Sequence, residues 1–444
     1  MFRLVGLVAL GFNWLLWCLV RRRVLELAPR ARWVRGARGA ALFALLFHPS
    51  LVMTAAGWPG LRELRALLPD VVLMTGMAIQ IAALLSLVAF GLMALISAAF
   101  RGGVLARSWL ARRTSAEVVA SAAPALGGPG ESSPTPAEAI VSQPRVVKAP
   151  VDMARRRIVA ATGLAVPAVA LAVSGAGALA SRALPSVSRV RLPVRREMTS
   201  LHGITIAQVS DVHVGSYMDA ARLDEIRDAM NALGADYHVI TGDLLDNHVS
   251  QLELATRFIR GLAPRRGEVF LCMGNHEYIA ARSADVKTIV SGLEGAGAQV
   301  LIDEARELRI GQDRIWMGAL DYPPSARLAG RRARPTRESL KLALGQMRDD
   351  GAPRVLLSHH PRTYVEAREL DFGIMLSGHT HGGQIKLGRI GDHAITPVLP
   401  VDFYHNGFYQ HAQSRLYVNA GAGGWLPVRI NCPPELTLVQ LVAV

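Results

Sequence analysis

Cysteine is scarce in this 444-residue sequence. The three cysteines, Cys18, Cys272 and Cys432, lie far apart and form no CxxC or other paired spacing. A small disulfide-stapled fold needs many closely spaced cysteines, and a structural zinc site commonly needs clustered thiolates. The sequence therefore implies neither a disulfide framework nor a zinc-thiolate site.

Acidic residues are few relative to basic ones. Asp and Glu number 35 against 49 Lys and Arg, which gives a net charge of +14. A basic excess of this size raises nucleic-acid binding as a hypothesis. Many of the arginines, however, flank apolar segments, as the distribution of positive charge around membrane spans requires. We therefore favour a membrane protein and do not expect a nucleic-acid partner.

Long apolar runs are confined to the first 180 residues and cover residues 4–20, 41–58, 71–99 and 158–180. A helix needs roughly 20 such residues to cross a bilayer. The alternative, buried helices of a soluble protein, is disfavoured for the first three runs because almost no charge interrupts them. The sequence predicts an N-terminal bundle of about four transmembrane helices.

The loops between these runs indicate their orientation. Seven arginines lie in residues 21–38, and residues 101–157 are again basic, whereas residues 59–70 carry two arginines offset by Glu63 and Asp70. Basic loops remain on the cytoplasmic side of the membrane. We therefore expect a multi-pass protein of the cytoplasmic membrane whose soluble part, after the fourth run, is extracytoplasmic.

The segment before the fourth run is rich in Pro, Gly, Ser and Ala, which predicts a disordered cytoplasmic linker. Arg155, Arg156 and Arg157 follow it. They resemble a twin-arginine export signal with a candidate cleavage site ending at Ala180, although stop-transfer arginines before an ordinary anchor fit equally well. The predicted divisions are a membrane region with three helices at 1–118, the linker at 119–154, the fourth helix or signal anchor at 155–182 and a soluble domain at 183–444.

From about residue 200 onward, short β-branched runs alternate with helical stretches. This alternation predicts βαβ units, and the strand-dense later part predicts a second, more antiparallel sheet. We expect an α/β fold in which a two-sheet β-sandwich is flanked by helices. A basic segment at 325–340 interrupts the pattern, and we predict a solvated insertion there, with contact to anionic headgroups or an anionic substrate as the alternative.

Polar residues follow five predicted strands at their carboxyl ends, where the loops of an open α/β sheet converge. These residues are Asp211, His213, Asp243, Asn275, His359, His379 and His381. A spacing of two on an extended segment would direct Asp211 and His213 to the same side, and His379 and His381 repeat that spacing. Oxygen and imidazole ligands without thiolates suit Mn, Fe or Zn, and seven of them suit two ions rather than one.

The motifs DVH, GDLLDN, GNHE, SHH and GHTHGGQ, in this order over residues 204–384, resemble those of the calcineurin-like metallophosphoesterase superfamily. The apolar N-terminal region, the RRR sequence and the closing NAGAGGWLPVRINCPPELTLV resemble its bacterial membrane-associated, phosphodiesterase-like branch. The resemblance implies the two-sheet metallophosphoesterase fold. It also implies that residues 183–444 form a catalytic domain attached to the bacterial inner membrane.

The resemblance further implies a role for each residue. One metal would be held by Asp211, His213 and His381 and the other by Asn275, His359 and His379, with Asp243 bridging them. His276 would protonate the leaving group after a metal-bridging hydroxide attacks phosphorus, and Asp246 would orient His276. His360 is expected to lie beside a ligand rather than to act as one.

We therefore predict a membrane-anchored phosphoesterase that uses two divalent ions, Mn, Fe or Zn, to hydrolyse phosphodiester or pyrophosphate bonds. Its substrate is expected to be lipid-linked or part of the cell envelope. The alternative, from a different class, is a catalytically weak metal-binding module that senses or tethers a phosphorylated envelope component. Retention of the non-ligand His276 favours the enzyme, because binding alone needs no proton donor.

Overall fold

The computed structural model describes residues 153–215, 217–322, 336–370, 372–390, 393–396, 402–424 and 426–444, together with Trp14 and Ser86. The helices are α1 (Met153–Ser181), α2 (Ala220–Ala232), α3 (Leu252–Arg260), α4 (Asn275–Ala280), α5 (Val286–Gly295), α6 (Thr336–Gly345) and α7 (Thr363–Ala367). The chain divides into two compact units, and the described residues from Ala172 onward belong to one of them.

Two six-stranded sheets dominate this second unit. Their strands are β1 (Ser186–Val194), β2 (Thr205–Val209), β3 (Tyr237–Thr241), β4 (Val269–Cys272), β5 (Ala298–Leu301), β6 (Glu304–Ile310), β7 (Asp313–Ala319), β8 (Arg354–Leu357), β9 (Ile374–Ser377), β12 (Gly407–His411), β13 (Ser414–Val418) and β14 (Glu435–Ala443), with β10 (Gly388–Ile390) and β11 (His393–Ile395) forming a separate hairpin. The first sheet has the order β1-β14-β2-β3-β4-β5 and the second β12-β13-β9-β8-β7-β6. The central strands of both sheets run parallel.

The two sheets pack face to face because alternate residues on their strands are apolar. Ile206, Val239 and Phe270 of the first sheet share one buried cluster with Met317 and Val355 of the second. Side chains of this size stabilise the fold by roughly 1.5–3 kcal/mol each when fully buried. The opposite face of the first sheet packs against α2, α3 and α5, and that of the second against α6 and α7. The arrangement is therefore helix, sheet, sheet, helix.

The prediction of an α/β two-sheet sandwich flanked by helices is confirmed. The second sheet contains two antiparallel pairings, β6 with β7 and β12 with β13, against one in the first, so it is more antiparallel only by a single pair. The edge strand β1 was not predicted. It contains Pro193, which a strand tolerates at a sheet edge because the missing N–H leaves no ladder bond unmade there.

Helix α1 occupies the segment for which a fourth span or signal anchor is predicted. Within the described part of the chain, no helix combines the length and the apolar character needed to cross a membrane. The three earlier predicted spans, and nearly all of the predicted linker, lie outside the described residues. The basic insertion is described only from Thr336, where α6 begins. The four-span bundle and the domain boundaries therefore stay predictions.

Candidate metal centre

The seven predicted ligands gather at one end of the sandwich. Each follows a strand at its carboxyl end, on the loops after β2, β3 and β4 of the first sheet and after β8 and β9 of the second. Parallel neighbouring strands place their carboxyl ends along one sheet edge, so these loops meet. The sequence placed these residues correctly at the strand ends, and the structure brings all seven together.

An extended backbone was expected at the centre, but the structure shows left-handed turns there instead. Asp211, His213, Asp243, His379 and His381 have φ values of 52°, 51°, 52°, 71° and 52°. Positive φ is uncommon outside glycine and concentrates in Asn, Asp and His. The argument that two-residue spacing directs these side chains to one side was therefore wrong. They converge because tight left-handed turns follow the strands, and such conformations are maintained at functional sites by the surrounding structure.

One cluster, which we call the Asp211 group, consists of Asp211, His213 and His381. The Nε2 atoms of the two imidazoles are 3.2 Å apart, and His381 Nε2 is 3.3 Å from Asp211 Oδ1. All three side chains are buried. Ser210 Oγ donates to Asp211 Oδ2 at 2.5 Å, and the His379 amide donates to the same carboxylate at 3.0 Å. The Asp211 carboxylate is therefore oriented from two sides.

The second cluster, the Asn275 group, consists of Asn275, His359 and His379. His359 Nε2 is 3.2 Å from Asn275 Oδ1 and 3.2 Å from His379 Nδ1. His359 Nδ1 lies 2.8 Å from the Thr241 carbonyl oxygen, which can only accept, so this nitrogen carries the proton. His359 Nε2 is then left to face the cluster, which is how a metal-binding imidazole is arranged.

Asp243 lies between the two groups. Its Oδ2 is 3.0 Å from His359 Nε2 and 3.8 Å from His213 Nε2. Burial would raise the pKa of Asp243, but the charges of His359 and His276 outweigh it and hold that pKa well below the usual range. An ionised carboxylate therefore contacts a member of each group, which is the geometry that a bridging ligand requires.

The chemistry of these atoms fits divalent cations. Burial, the main cause, lowers the pKa of His379 and of His381 well below the ordinary value, so both imidazoles are neutral. Ring nitrogens at hydrogen-bond distance from one another, beside two carboxylates and without thiolates, suit borderline first-row ions. His381 Nδ1 is buried and has no hydrogen-bond partner among the described residues. The residues present can hold divalent metal.

His276 lies beside the Asp211 group. Its ring packs edge-on against His213, with centroids 4.5 Å apart, and its amide donates to Asp243 Oδ1 at 2.8 Å. Burial lowers the pKa of His276, but Asp243 and the interactions with Asp246 outweigh it and raise the pKa to about 10. His276 is therefore protonated at neutral pH and can donate a proton.

Asp246 contacts His276 chiefly through its backbone. His276 Nδ1 hydrogen-bonds to the Asp246 carbonyl oxygen, whereas its distance to the carboxylate Oδ1 is 3.5 Å. The same oxygen is also 3.5 Å from His213 Nδ1. Asp246 thus lies next to His276, and its predicted orienting role stays a prediction. The hydrogen bond that holds the ring, however, is made by the main chain.

His360 contacts a candidate ligand, in line with the prediction. Its ring lies 4.3 Å from that of His379, centroid to centroid, and its Nδ1 accepts from the Arg362 amide at 3.2 Å. Burial, with the charges of His359 and Arg362, lowers the pKa of His360 to about 3. A neutral ring therefore covers one side of the His379 imidazole.

Glycines allow the loops to approach the centre closely. A Cβ atom on Gly378 would lie 1.8 Å from Ser210 Oγ, and one on Gly274 would lie 2.2 Å from Asp243 Oδ1. Either distance is far shorter than the van der Waals radii of the two atoms allow. The expectation that glycines let the backbone come close to the site is confirmed at these two positions.

Sequence reasoning gave no role to Glu277. This fully buried residue accepts three backbone hydrogen bonds, from Asp243 at 2.9 Å, Gly274 at 2.7 Å and Leu245 at 3.0 Å. It thereby holds together the loops after β3 and β4. Its position in GNHE was the only available signal, and a Glu in the first turn of a helix is ordinarily explained by capping.

The comparisons with known proteins agree with this geometry. Residues 204–383 match the family model described as calcineurin-like phosphoesterase. A zebrafish (Danio rerio) "transmembrane protein with metallophosphoesterase domain" is 30% identical over 268 residues, which cover 58% of this chain and 57% of that protein. An uncharacterized metallophosphoesterase of Helicobacter pylori is 29% identical, covering 54% of this chain and 60% of its own. Phosphodiesterase YaeI of Escherichia coli is 27% identical over 183 residues, covering 39% and 58%.

The chain spans between 57% and 60% of the length of these relatives. The matched region contains strands β2 to β9, the loops that follow them and all seven clustered ligands described above. Residues 204–383 of this protein therefore belong to the calcineurin-like metallophosphoesterase superfamily.

Proposed function

We propose that this protein is a membrane-anchored phosphoesterase that uses two divalent ions, Mn, Fe or Zn, to hydrolyse phosphodiester or pyrophosphate bonds. The observation that carries the proposal is the arrangement of two buried ligand groups around one shared carboxylate, Asp243, with the protonated His276 beside it. A metal-binding module alone has no need of a proton donor at this position.

Bound divalent ions would supply Lewis acidity, neutralising phosphate oxygens and making water a better nucleophile near neutral pH. The protein's own residues supply the remaining chemistry. The Asp211 group and the Asn275 group present preformed ligands, so little reorganisation accompanies binding. His276 donates its proton to the departing oxygen, and the main-chain carbonyl of Asp246 fixes the ring by accepting from Nδ1, which leaves Nε2 for the substrate.

A small cleft lies beside His213, and its lining includes Arg182, Arg222, Met218 and Leu426. Arg182 pairs with Asp219 at 2.8 Å and Arg222 with Glu225 at 2.7 Å, so the charge of both arginines is balanced within the protein. A lipid-linked or cell-envelope phosphoester as substrate is supported by the apolar runs of the N-terminal sequence, which would bring the site to a membrane surface.

The proposed location is a bacterial inner membrane, with the catalytic domain outside the cytoplasm. The apolar runs and basic loops of the N-terminal sequence support it, as does the name of the zebrafish relative, a transmembrane protein with a metallophosphoesterase domain. A reporter fused after Val444 tests the orientation. Activity of an extracytoplasmic reporter is expected, and a cytoplasmic reporter signal would contradict the proposed placement.

The central experiment compares the full-length protein in detergent with its Asp243→Asn variant. Metal content and hydrolysis of bis(p-nitrophenyl) phosphate and p-nitrophenyl phosphate are measured for both. For the unaltered protein we expect about two metals per chain and turnover that favours the diester. In the variant we expect loss of both metal binding and turnover. The name of the E. coli relative supports testing diesters first.

Asp228→Asn is the matched control, since Asp228 is a surface carboxylate with 67% side-chain exposure. It should bind metal and turn over substrate as the unaltered protein does. Metal binding without hydrolysis of either ester would favour a catalytically weak module that tethers a phosphorylated envelope component. Absence of metal would reject both functions.

A further inference from the structure

Arg429 is a buried cation that is held by backbone carbonyl groups. Its side chain is 1% exposed, and its guanidinium nitrogens donate to five carbonyl oxygens. These oxygens belong to Ala420 (2.8 Å), Gly421 (3.0 Å), Gly423, Cys432 (3.1 Å) and Pro433 (3.3 Å). Burying a guanidinium is costly unless its donors are satisfied. A hydrogen-bond network of this extent therefore indicates that the buried guanidinium has a structural role.

Residues 420–423, the segment held by Arg429, lie against the loop after β2 that carries Asp211. The Ala422 amide donates to the Ser210 carbonyl at 2.9 Å, and the Gly423 amide donates to the Asp211 carbonyl at 3.0 Å. These two bonds fix the backbone at the point where Asp211 leaves β2. Movement of the segment would therefore move Asp211.

Only a glycine separates the guanidinium from the Asp211 group. A Cβ atom on Gly421 would lie 3.0 Å from Asp211 Cβ, 3.4 Å from His381 Nδ1 and 3.5 Å from Arg429 Nη2. The positive charge of Arg429 therefore lies directly behind two members of that group.

Residues 427–430, which include Arg429 itself, are in contact with the last turns of α1. The Arg429 amide donates to the Gly177 carbonyl at 2.9 Å, and Ser181 Oγ donates to the Pro427 carbonyl at 3.1 Å. A Cβ atom on Gly177 would lie 2.8 Å from Val428 Cγ1. Helix α1 and residues 428–430 therefore pack closely, with no room for a larger residue at position 177.

We propose that Arg429 is a positioning residue that couples the C-terminal turns of α1 to the Asp211 group of the metal centre. It holds segment 420–423 against Asp211 from one side and receives α1 on the other. The inference rests on the proposed metal-dependent function. It goes beyond that function by assigning one metal position a dependence on α1 that the other position lacks.

The first test measures the affinity of each metal position by competition with a chelator, using Mn²⁺ and the full-length protein in detergent. Arg429→Met removes the charge and all donors while keeping a long side chain. We expect one ion to bind at least tenfold more weakly and the other to be unchanged. Arg429→Lys keeps the charge with fewer donors and should recover part of the loss.

A double-mutant cycle identifies the affected position. In a His381→Ala background the Asp211 group is already broken, so Arg429→Met should have no further effect on the remaining ion. In a His359→Ala background, where the Asn275 group is broken instead, the tenfold loss should persist. Such non-additivity is the signature of residues that act through one another.

The contribution of α1 is tested by Gly177→Ala against a matched control. A Cβ atom at Gly177 would collide with residues 428–430, whereas one at Gly175 would meet nothing within 4 Å. We expect Gly177→Ala to weaken the same ion severalfold and Gly175→Ala to leave both ions unaffected.

Unchanged metal affinity in Arg429→Met would overturn the proposal, as would equal weakening of both ions or failure of Arg429→Lys to recover any affinity. These outcomes are distinct from failure of the proposed function, in which the unaltered protein itself would bind metal but hydrolyse no phosphoester. An unaltered protein that bound no metal would reject both.

Discussion

The Asp211 group and the Asn275 group contain similar ligands but are supported by opposite buried charges. Behind the Asn275 group and Asp243, the Glu277 carboxylate accepts hydrogen bonds from three backbone amides. Behind the Asp211 group, the Arg429 guanidinium donates to five backbone carbonyls. The loops after β3 and β4 present N–H groups to their support, whereas segment 420–423 and residues 432 and 433 present C=O groups.

This difference shows that a buried charge can be satisfied by backbone dipoles instead of by an opposite charge. Each support then organises several loops at once, because one side chain reaches several peptide groups. The two proposed metal positions would therefore lie in different electrostatic environments, one beside the Glu277 carboxyl group and the other beside the Arg429 guanidinium. The two ions are therefore expected to differ in affinity, with the position nearer Glu277 the tighter.

The largest effects are expected from removing one imidazole of either group. His359→Ala and His381→Ala should each reduce the metal content from two ions to one and lower turnover by roughly 10²- to 10³-fold or more, since both ions stabilise charge on phosphate. Metal analysis and diester hydrolysis check this. If either variant kept two ions at unchanged affinity, the assignment of that group as a metal position would be wrong.

The next largest effect is expected at His276, which belongs to neither group. His276→Asn should leave both ions bound but lower kcat by roughly 10²- to 10⁴-fold for an alkyl ester, because the departing alkoxide loses its proton donor. An activated aryl ester, whose leaving group needs no proton, should be much less affected. Equal losses on the two esters would contradict the proton-donor role.

Glu277→Gln should weaken the support of the loops after β3 and β4, which carry both Asp243 and Asn275. The amide nitrogen would face a backbone N–H group, and leaving a buried donor unpaired costs about 1–3 kcal/mol. We expect a lower thermal midpoint and roughly 10- to 100-fold weaker metal binding, as supporting residues of metal sites commonly show. Because Asp243 is shared by the two groups, the weakening should persist in a His359→Ala background. Unchanged affinity of the remaining ion there would restrict the role of Glu277 to the Asn275 group.

Asp246→Asn should have a smaller effect, because the hydrogen bond that holds His276 comes from the main chain. The neutral side chain removes one of the interactions that raise the pKa of His276. The loss of activity above neutral pH should therefore begin at a lower pH, with little change in the maximal rate. A pH profile of kcat checks the shift, and an unchanged profile would separate Asp246 from His276.

The smallest effect on activity is expected at His238 in β3, away from both groups. The ring is fully buried, and burial lowers its pKa from 6.5 to about 4. Between these values the unfolded chain binds a proton that the folded chain excludes, so stability falls by roughly 2 kcal/mol from pH 7 to pH 5. Denaturant unfolding of His238→Leu should show a smaller loss over this range. An identical loss in both proteins would exclude this histidine as the cause.

Much of the centre could be read from the sequence because its ligands lie in short motifs at strand ends. A buried strand is recognisable as a run of β-branched residues, and an Asp or His directly after it is conspicuous. The turn conformation at Asp211 and His213 could not be read in this way. A two-residue spacing has different consequences in an extended strand and in a left-handed turn, and local sequence does not distinguish them.

The sequence by itself determined the alternation of strands β2 to β9 with helices α2, α3, α5 and α6, the positions of the seven clustered residues and the oxygen-and-imidazole character of their site. Only the tertiary structure decided which residues support that site. Glu277 and Arg429 act through hydrogen bonds to peptide groups of loops brought together by folding, and every residue offers the same N–H and C=O groups whatever its side chain. Contacts of that kind leave no signature in the residues they bind, and for that reason the three-dimensional arrangement alone could identify them.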